Sequence, residues 1–276
     1  MTPESTSAEW LTLSPELLDA IRTIAATEHL LVALDFDGVM APLVDRPENA
    51  RPLPRTAAAF AALATLERTT TALISGRALD SLRLVASPPA ESLLIGSHGA
   101  EAWLGPGSTP LTLDPEQLEL LARVRATLAE ISEEAAGTHL EDKPAGVVLH
   151  TRQAADDVAE DAVAAARSAL GGLEGVHLKT GKRVLETSVV HASKGEGITF
   201  LRQATEATAV LFAGDDVTDE DAFARLAKGD VGIKVGLGFT HAGYRVETPV
   251  HMAEVLEALL KERRKALGDV PPSDIP

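Results

Sequence analysis

What most constrains this chain is a recurring unit: a short apolar run that stops abruptly at polar or acidic residues. Leu30–Leu34 stops at Asp35-Phe36-Asp37-Gly38, residues 71–74 at Ser75-Gly76-Arg77, residues 93–95 at Gly96-Ser97-His98-Gly99, and residues 209–213 at Gly214-Asp215-Asp216. Continuous apolar runs of this length fit strands buried on both faces, which requires a parallel sheet covered by helices. Helical patterns fall between them, over residues 14–27, 56–67, 194–204, 219–226 and 250–267. In the first, Ser14 is the expected N-cap and Pro15 the first helical residue. Val231–Val235 reads as a further strand and residues 42–54 as a Pro-rich loop. The class is α/β.

The rhythm changes between about residues 112 and 188. Residues 115–135 have the Leu spacing of an amphipathic helix. Residues 138–142 and 146–151 then read as a hairpin around Pro144-Ala145-Gly146. A second helix follows over 155–170, with short strands at 176–179 and 184–187 turned by Thr180-Gly181. The pattern is helix-strand-strand twice over, a candidate duplicated α+β unit. The expected organisation is a core over 1–111 (with the N-terminal helix) and 189–276, with an inserted α+β domain at 112–188.

With 276 residues the chain can bury one large core and a smaller one. It has no cysteine, which excludes disulfides, zinc–thiolate sites and thiol catalysis. Lys and Arg number 25 against 41 Asp and Glu, a formal charge of -16, without a basic stripe or aromatic platforms. A nucleic-acid partner is therefore not expected. The first ten residues lack the basic start and apolar stretch of a secretory leader, and no apolar run has the length of a membrane span. A cytoplasmic, monomeric protein with no membrane partner is expected.

Groups at the carboxyl ends of an open parallel sheet converge on one crevice. Carboxylates crowded there repel one another, and a divalent cation is the natural compensation; magnesium prefers such oxygen ligands. Asp-Phe-Asp-Gly after a buried strand suits phosphoryl transfer by covalent catalysis, with Asp35 as nucleophile and Asp37 as general acid/base. The competing reading is a polar loop with solvated acids. Five acids between Asp215 and Asp221 are dense for a surface turn, although Asp219, Glu220 and Asp221 also suit a helix N-terminus. Ser75 can donate to a phosphate oxygen or cap the helix that follows. Arg77 can face the site or form an ion pair at the sheet edge. Lys194 opens a helix just before the last acidic strand end, where it can neutralise a transferring phosphoryl group.

Asp-x-Asp-Gly, Ser-Gly-Arg, a later Lys-Gly and Gly-Asp-Asp-Val-Thr-Asp-Glu stand in the order of the haloacid dehalogenase (HAD) superfamily of phosphatases. Within it the chain resembles the trehalose-6-phosphate phosphatases, from about residue 30 to 260. The resemblance implies a HAD-like Rossmannoid core with an inserted α+β cap. It implies magnesium (Mg2+) held by Asp35, Asp215 and the backbone carbonyl of Asp37, with Asp216 and Asp219 orienting metal-bound waters or the lysine. That family carries Glu-x-Lys, then His-x-Arg, and a Gly-Lys-x-x-x-Glu segment that contact phosphate or glucose hydroxyls. The matching residues here are Glu141 and Lys143, His150 and Arg152, and Lys182 and Glu186. Its Gly-x-His-Gly-x-Glu corresponds to Gly96 through Glu101, which brings in His98 and Glu101. Val39 departs from the family's usual Thr and removes one hydroxyl. Glu141, Lys143 and Arg152 are expected on the first hairpin, where alternate positions share a face, but alternating charges on a hairpin also form ordinary solvated sheet faces, and His98 and His150 also suit packing roles. The implied substrate is trehalose 6-phosphate. Sucrose, mannosylglycerate or glucosylglycerate phosphates, a phosphosugar mutase, and a non-catalytic phosphosugar sensor stand as rivals.

Overall fold

The computed structural model describes residues 13–107, 113–181 and 183–269. The chain begins with α1 (Pro15–Ala25), where Ser14 caps the helix by accepting the Leu17 N–H at 3.2 Å and Pro15 occupies the first turn. Next come β1 (Leu30–Leu34), α2 (Pro54–Ala64), β2 (Thr69–Ile74), α3 (Leu79–Ala86), β3 (Leu93–Gly96) and β4 (Glu101–Trp103). The middle of the chain forms α4 (Pro115–Glu134), β5 (His139–Lys143), β6 (Gly146–His150), α5 (Asp156–Leu170), β7 (His177–Gly181) and β8 (Val184–Ser188). It closes with α6 (Lys194–Thr205), β9 (Ala209–Gly214), α7 (Asp219–Phe223), β10 (Val231–Val235), β11 (Tyr244–Val246) and α8 (Pro249–Leu267).

The larger sheet has the order β11-β10-β9-β1-β2-β3-β4. β1 pairs in parallel with both β2 and β9, and every residue of β1, β9 and β10 is buried, as continuous apolar runs require. The chain leaves β1 toward β2 and returns at β9 on the other side, so the strand order reverses at the β1/β9 boundary. In open α/β sheets that reversal is where a crevice forms at the carboxyl ends.

The chain divides into two compact units. One comprises the residues up to Ser75, Asp80–Leu93 and those from Lys194 on; the other comprises Gly76–Leu79 and Leu94–Ser193. The second holds an antiparallel sheet of order β5-β6-β8-β7. Asp114 and Gln117 cap α4 reciprocally at 2.8 and 3.0 Å. Val124 and Leu128 of α4 and Ala162, Ala166 and Leu170 of α5 pack against Val147, Leu149 and Leu185 on one face of that sheet. Strand alternation leaves the opposite face to His139, Glu141 and Lys143 of β5, His150 of β6, Glu186 of β8 and His177 and Lys179 of β7.

Several elements differ from the sequence expectation. α2 begins two residues early, at Pro54, because proline's fixed φ suits the first helical turn. The second hairpin of the antiparallel sheet extends further than expected: β7 runs through Thr180 and Gly181, Gly181 pairs with Val184, and Arg183 takes a left-handed φ of 65°. β6 ends at His150, so Arg152 lies in the turn beyond it rather than on the hairpin. α3, β4 and β11 were too short to show a periodic signal.

At the opposite end of β1 and β2 from their carboxyl termini, Arg263 of α8 is 1% exposed. It donates to the carbonyls of Ala25 (2.9 Å), Thr27 (2.5 Å), Glu28 (3.3 Å) and Arg68 (2.6 Å) and to Thr69 Oγ1 (3.0 Å). One guanidinium thus ties the end of α1 and the entries to β1 and β2 together. Arg263→Met is expected to leave those oxygens unsatisfied and lower stability by roughly 2–4 kcal/mol. Urea unfolding measures this, and a loss below about 0.5 kcal/mol would refute the role.

Candidate active site

The first unit's site is built from loops that leave β1 and β9 side by side. After β1 the chain folds tightly on itself: the Phe36 carbonyl accepts from Met40 N (3.0 Å) and Ala41 N (2.9 Å), and Gly38 N donates to the Ala41 carbonyl (2.8 Å). Phe36 and Val39 are fully buried beneath this loop. Gly38 has φ +78°, and a Cβ there would lie 2.0 Å from Asp215 Oδ2. Only glycine allows both this conformation and the approach of Asp215.

Asp35, buried, accepts from its neighbour Phe36 N at 2.6 Å through Oδ1. Its Oδ2 accepts from Lys194 Nζ at 2.6 Å. Lys194, 2% exposed at the start of α6, also donates to Asp219 Oδ1 at 2.7 Å. Carboxylate oxygens of Asp35, Asp215 and Asp219 lie within 4.8 Å of one another. Asp219 is fully buried, and its Oδ2 accepts the N–H groups of Asp215 (3.0 Å) and Asp216 (2.9 Å). Asp216 itself is exposed. The structure therefore brings together Asp35, Lys194, Asp215 and Asp219 over 184 residues of sequence. Asp37 sits beside them on the loop after β1, part-buried, and Ser75 follows β2, also buried.

If all three carboxylates ionise, one lysine leaves two negative charges uncompensated. The titration behaviour reflects this. Burial raises the Asp35 pKa well above the usual carboxylate range, and the charges of Asp219 and Asp215 add to it, against the opposing pull of Lys194. Burial, then Asp219, raises Asp215 to about 6. Burial alone disfavours the Lys194 ammonium, but Asp35 and Asp219 outweigh it and hold the lysine protonated. Asp219 meets three donors and Asp35 two (Lys194 and the Phe36 N–H), whereas the Asp215 carboxylate meets none among the described residues, so by donor chemistry a cation would draw first on Asp215 and then on the remaining lone pairs of Asp35. An all-oxygen, doubly negative cradle fits a hard divalent ion.

Sequence reasoning missed Lys234, a single lysine in the apolar strand β10. It is 4% exposed and donates to the Asp215 carbonyl at 2.7 Å. A lone lysine among Val, Gly and Ile reads as an edge residue, and only its burial reveals it.

The second unit gathers its own polar set. His98 Nε2 lies 3.3 Å from Glu186 Oε2, and its ring fills the space a side chain at Gly76 would need, 2.4 Å from that Cβ. His98 holds a left-handed φ of 57°. Burial raises the Glu186 pKa, but His98, Lys179 and Lys143 outweigh it and set it below the ordinary value. Glu141 meets Lys143 at 2.7 Å and His150 at 2.9 Å, and Ser97 Oγ donates to Glu101 Oε1 at 2.5 Å. A cavity of about 120 Å³ on this sheet face is lined by His98, Lys143, His177, Lys179, Glu186 and Ser188, among others. Arg77 is part-buried with its carbonyl accepting Ser97 N at 2.8 Å, Arg152 is exposed, and Lys182 lies outside the described residues.

The sequence profile described as trehalose-phosphatase matches residues 33–247. The chain belongs to the trehalose-phosphatase family. A protein of Mycobacterium tuberculosis (strain H37Rv) named an uncharacterized glycosyl hydrolase is 32% identical over 270 residues, covering 90% of this chain and 20% of that protein. The trehalose-phosphate phosphatase of Mycobacterium leprae is 30% identical over 273 residues, covering 90% of this chain and 62% of that one. The chain thus spans less than two thirds of these relatives' length. The C-terminal domain of the C. albicans trehalose-6-phosphate phosphatase superposes with a TM-score of 0.71 at 21% identity, covering 90% of this chain and 96% of that one. That likeness establishes the HAD-like fold of this family member. Among the described residues no helix is long and apolar enough to cross a membrane.

The Asp215 shift has a sign that can be tested in metal-free protein. Its folded pKa of about 6 exceeds the unfolded value, so the folded chain binds the extra proton between about pH 4 and pH 6. Stability therefore falls as pH rises through that window, and the cost is fully present above it. Asp215→Asn is expected to gain roughly 1–3 kcal/mol at pH 7.5 in chelator and much less at pH 4.5. Denaturant unfolding at both pH values decides; an equal effect at both would show that Asp215 is not the strained group.

Proposed function

We propose that this chain is a magnesium-dependent phosphatase that hydrolyses trehalose 6-phosphate to trehalose and inorganic phosphate through an aspartyl-phosphate on Asp35. The observation that carries the reading is Lys194 bridging Asp35 and Asp219 beside Asp215 at the β1/β9 switch point, in a member of the trehalose-phosphatase family. Relatives bearing the name trehalose-phosphate phosphatase support the same substrate.

Asp35, Asp215 and the Asp37 carbonyl would hold the ion, which when bound offsets the negative charge of the phosphoryl oxygens. The Asp35 carboxylate attacks phosphorus, the bond to the sugar oxygen breaks, and Asp37 gives that oxygen its proton. Asp37 then takes a proton from a water that attacks the same phosphorus, and the bond to Asp35 breaks. Phosphate leaves, and both aspartates are back in their starting states. Lys194 neutralises the phosphoryl group, Ser75 donates to one of its oxygens and Arg77 adds charge. Asp219 and Asp216 order the lysine and the surrounding water. Residues 112–188 act as the cap, where Glu141, Lys143, Arg152, Lys182 and Glu186, with His98 and Glu101 from the preceding segment, recognise the sugar hydroxyls. The protein works as a cytoplasmic monomer without nucleic-acid or membrane partners.

Phosphate release from trehalose 6-phosphate is expected to exceed that from glucose 6-phosphate and sucrose 6-phosphate and to vanish in chelator. Asp35→Asn is expected to lower it at least roughly a thousandfold without loss of fold. Substantial residual turnover, or an isomeric sugar phosphate in place of free phosphate, would defeat the assignment. Glu186→Gln is expected to raise KM for trehalose 6-phosphate about tenfold while sparing hydrolysis of p-nitrophenyl phosphate. If both substrates suffer equally, Glu186 is not a sugar contact.

A further inference from the structure

β10 reads Val-Gly-Ile-Lys-Val, with every residue buried. An ammonium group in such a strand is costly unless its protons find partners. Lys234 Nζ donates to the carbonyls of Asp215 at 2.7 Å and Asp216 at 3.3 Å, and lies 3.5 Å from Glu220 Oε1. Two hydrogen bonds and one ion pair thus answer the ammonium. The sheet register pairs Lys234 with Gly214, which sets the lysine alongside the start of the acidic loop. Glu220 is held in turn by His241 N, which donates to Oε2 at 2.7 Å.

The Asp215-Asp216 backbone is consequently fixed from two sides. Its N–H groups point to Asp219 Oδ2, at 3.0 and 2.9 Å, and its carbonyls point to Lys234. With donor and acceptor of Asp215 both committed, its Cα–Cβ direction has little freedom, and Gly38 clears the space its carboxylate enters. The lysine also occupies the two carbonyls, so that the Asp215 side chain is what the loop turns toward Asp35.

We propose that Lys234 is a positioning residue that sets magnesium affinity by orienting Asp215 through the carbonyls of Asp215 and Asp216. This rests on the reading of Asp215 as a metal ligand. A lysine that served stability alone would shift the unfolding temperature in chelator without changing the magnesium concentration at which stabilisation is half-complete.

The test follows the thermal unfolding midpoint of the full chain through a magnesium chloride titration, for the parent, Lys234→Met and Asp215→Asn. Lys234→Met is expected to need about tenfold more magnesium or greater, with kcat largely restored at saturating magnesium; Asp215→Asn is expected to lose the response. If Asp215→Asn titrates like the parent, the metal-site reading fails. If Asp215→Asn loses the response while folded Lys234→Met stays within about twofold of the parent, the inference about Lys234 fails alone. Should Lys234→Met not fold, Glu220→Gln, which removes charge from the lysine's outer partner, takes its place: a weakening of about threefold supports the inference and an unchanged titration overturns it.

Discussion

Three carboxylates crowd together at the carboxyl ends of β1 and β9 around one buried lysine that reaches only two of them, and much of the first unit can be understood as the apparatus that makes this tolerable. Like charges at such distances in a low-dielectric site repel strongly. The arrangement persists because the backbone leaves the acids nowhere else to go. β1 and β9 are adjacent and buried on both faces, so the loops that follow them emerge together. Gly38 and Gly214 remove the side chains that would keep the loops apart: a Cβ at either would lie within 2.3 Å of Asp215 Oδ2 or Asp219 Cγ. The raised pKa values of Asp35 and Asp215 are the energetic trace of this crowding. They also define the missing charge, which a divalent cation would supply.

The second unit solves a different problem. A sheet with period-two alternation can hold a hydrophobic core with one face and polar side chains with the other, using the same strands. β6 and β8 contribute Val147, Leu149 and Leu185 to the core, while Glu186 stands on the opposite face near Lys143 and Lys179. Because those polar groups sit on the inner and outer strands of one hydrogen-bonded sheet, their spacing is set by the ladder rather than by loop conformation. On the proposed function, sugar hydroxyls would meet donors and acceptors at the separations this ladder fixes.

How much of this was legible in the sequence depended on whether a signal was local. Leu30–Leu34 and Val231–Val235 appear with the expected bounds because an unbroken apolar run has one low-energy home in an α/β fold. The acids of the site were readable because each follows such a run. The hairpin between β7 and β8 was misjudged because Thr180-Gly181 resembles turn chemistry, whereas pairing with Leu185 and Val184 extends the strand through both. Arg152 was assigned to the hairpin although β6 ends at His150. Lys234 carried no local signal at all, and Arg263 stands in a basic run, residues 261–265, of the kind that usually ends a helix in solvent. The role of each comes from oxygens contributed by distant segments, and only the tertiary fold brings those together.

Asp215 and Asp219 show why residue type alone could not distribute roles within the acidic loop. Both are aspartates, four positions apart, at the same strand end. Asp219 meets an ammonium through one oxygen and two backbone N–H groups through the other, so its charge is fully answered and its task is to hold Lys194 and the loop in place. Asp215 receives no comparable set of donors; its backbone is gripped, yet its carboxylate is left facing Asp35 with its charge unsatisfied. The more fully donors answer a buried charge, the less it gains from a cation, and of the two acids in this loop Asp215 gains the more. The loop thus spends one acid on architecture so that another can be kept in an unfavourable state, and that strained acid is the one available for chemistry.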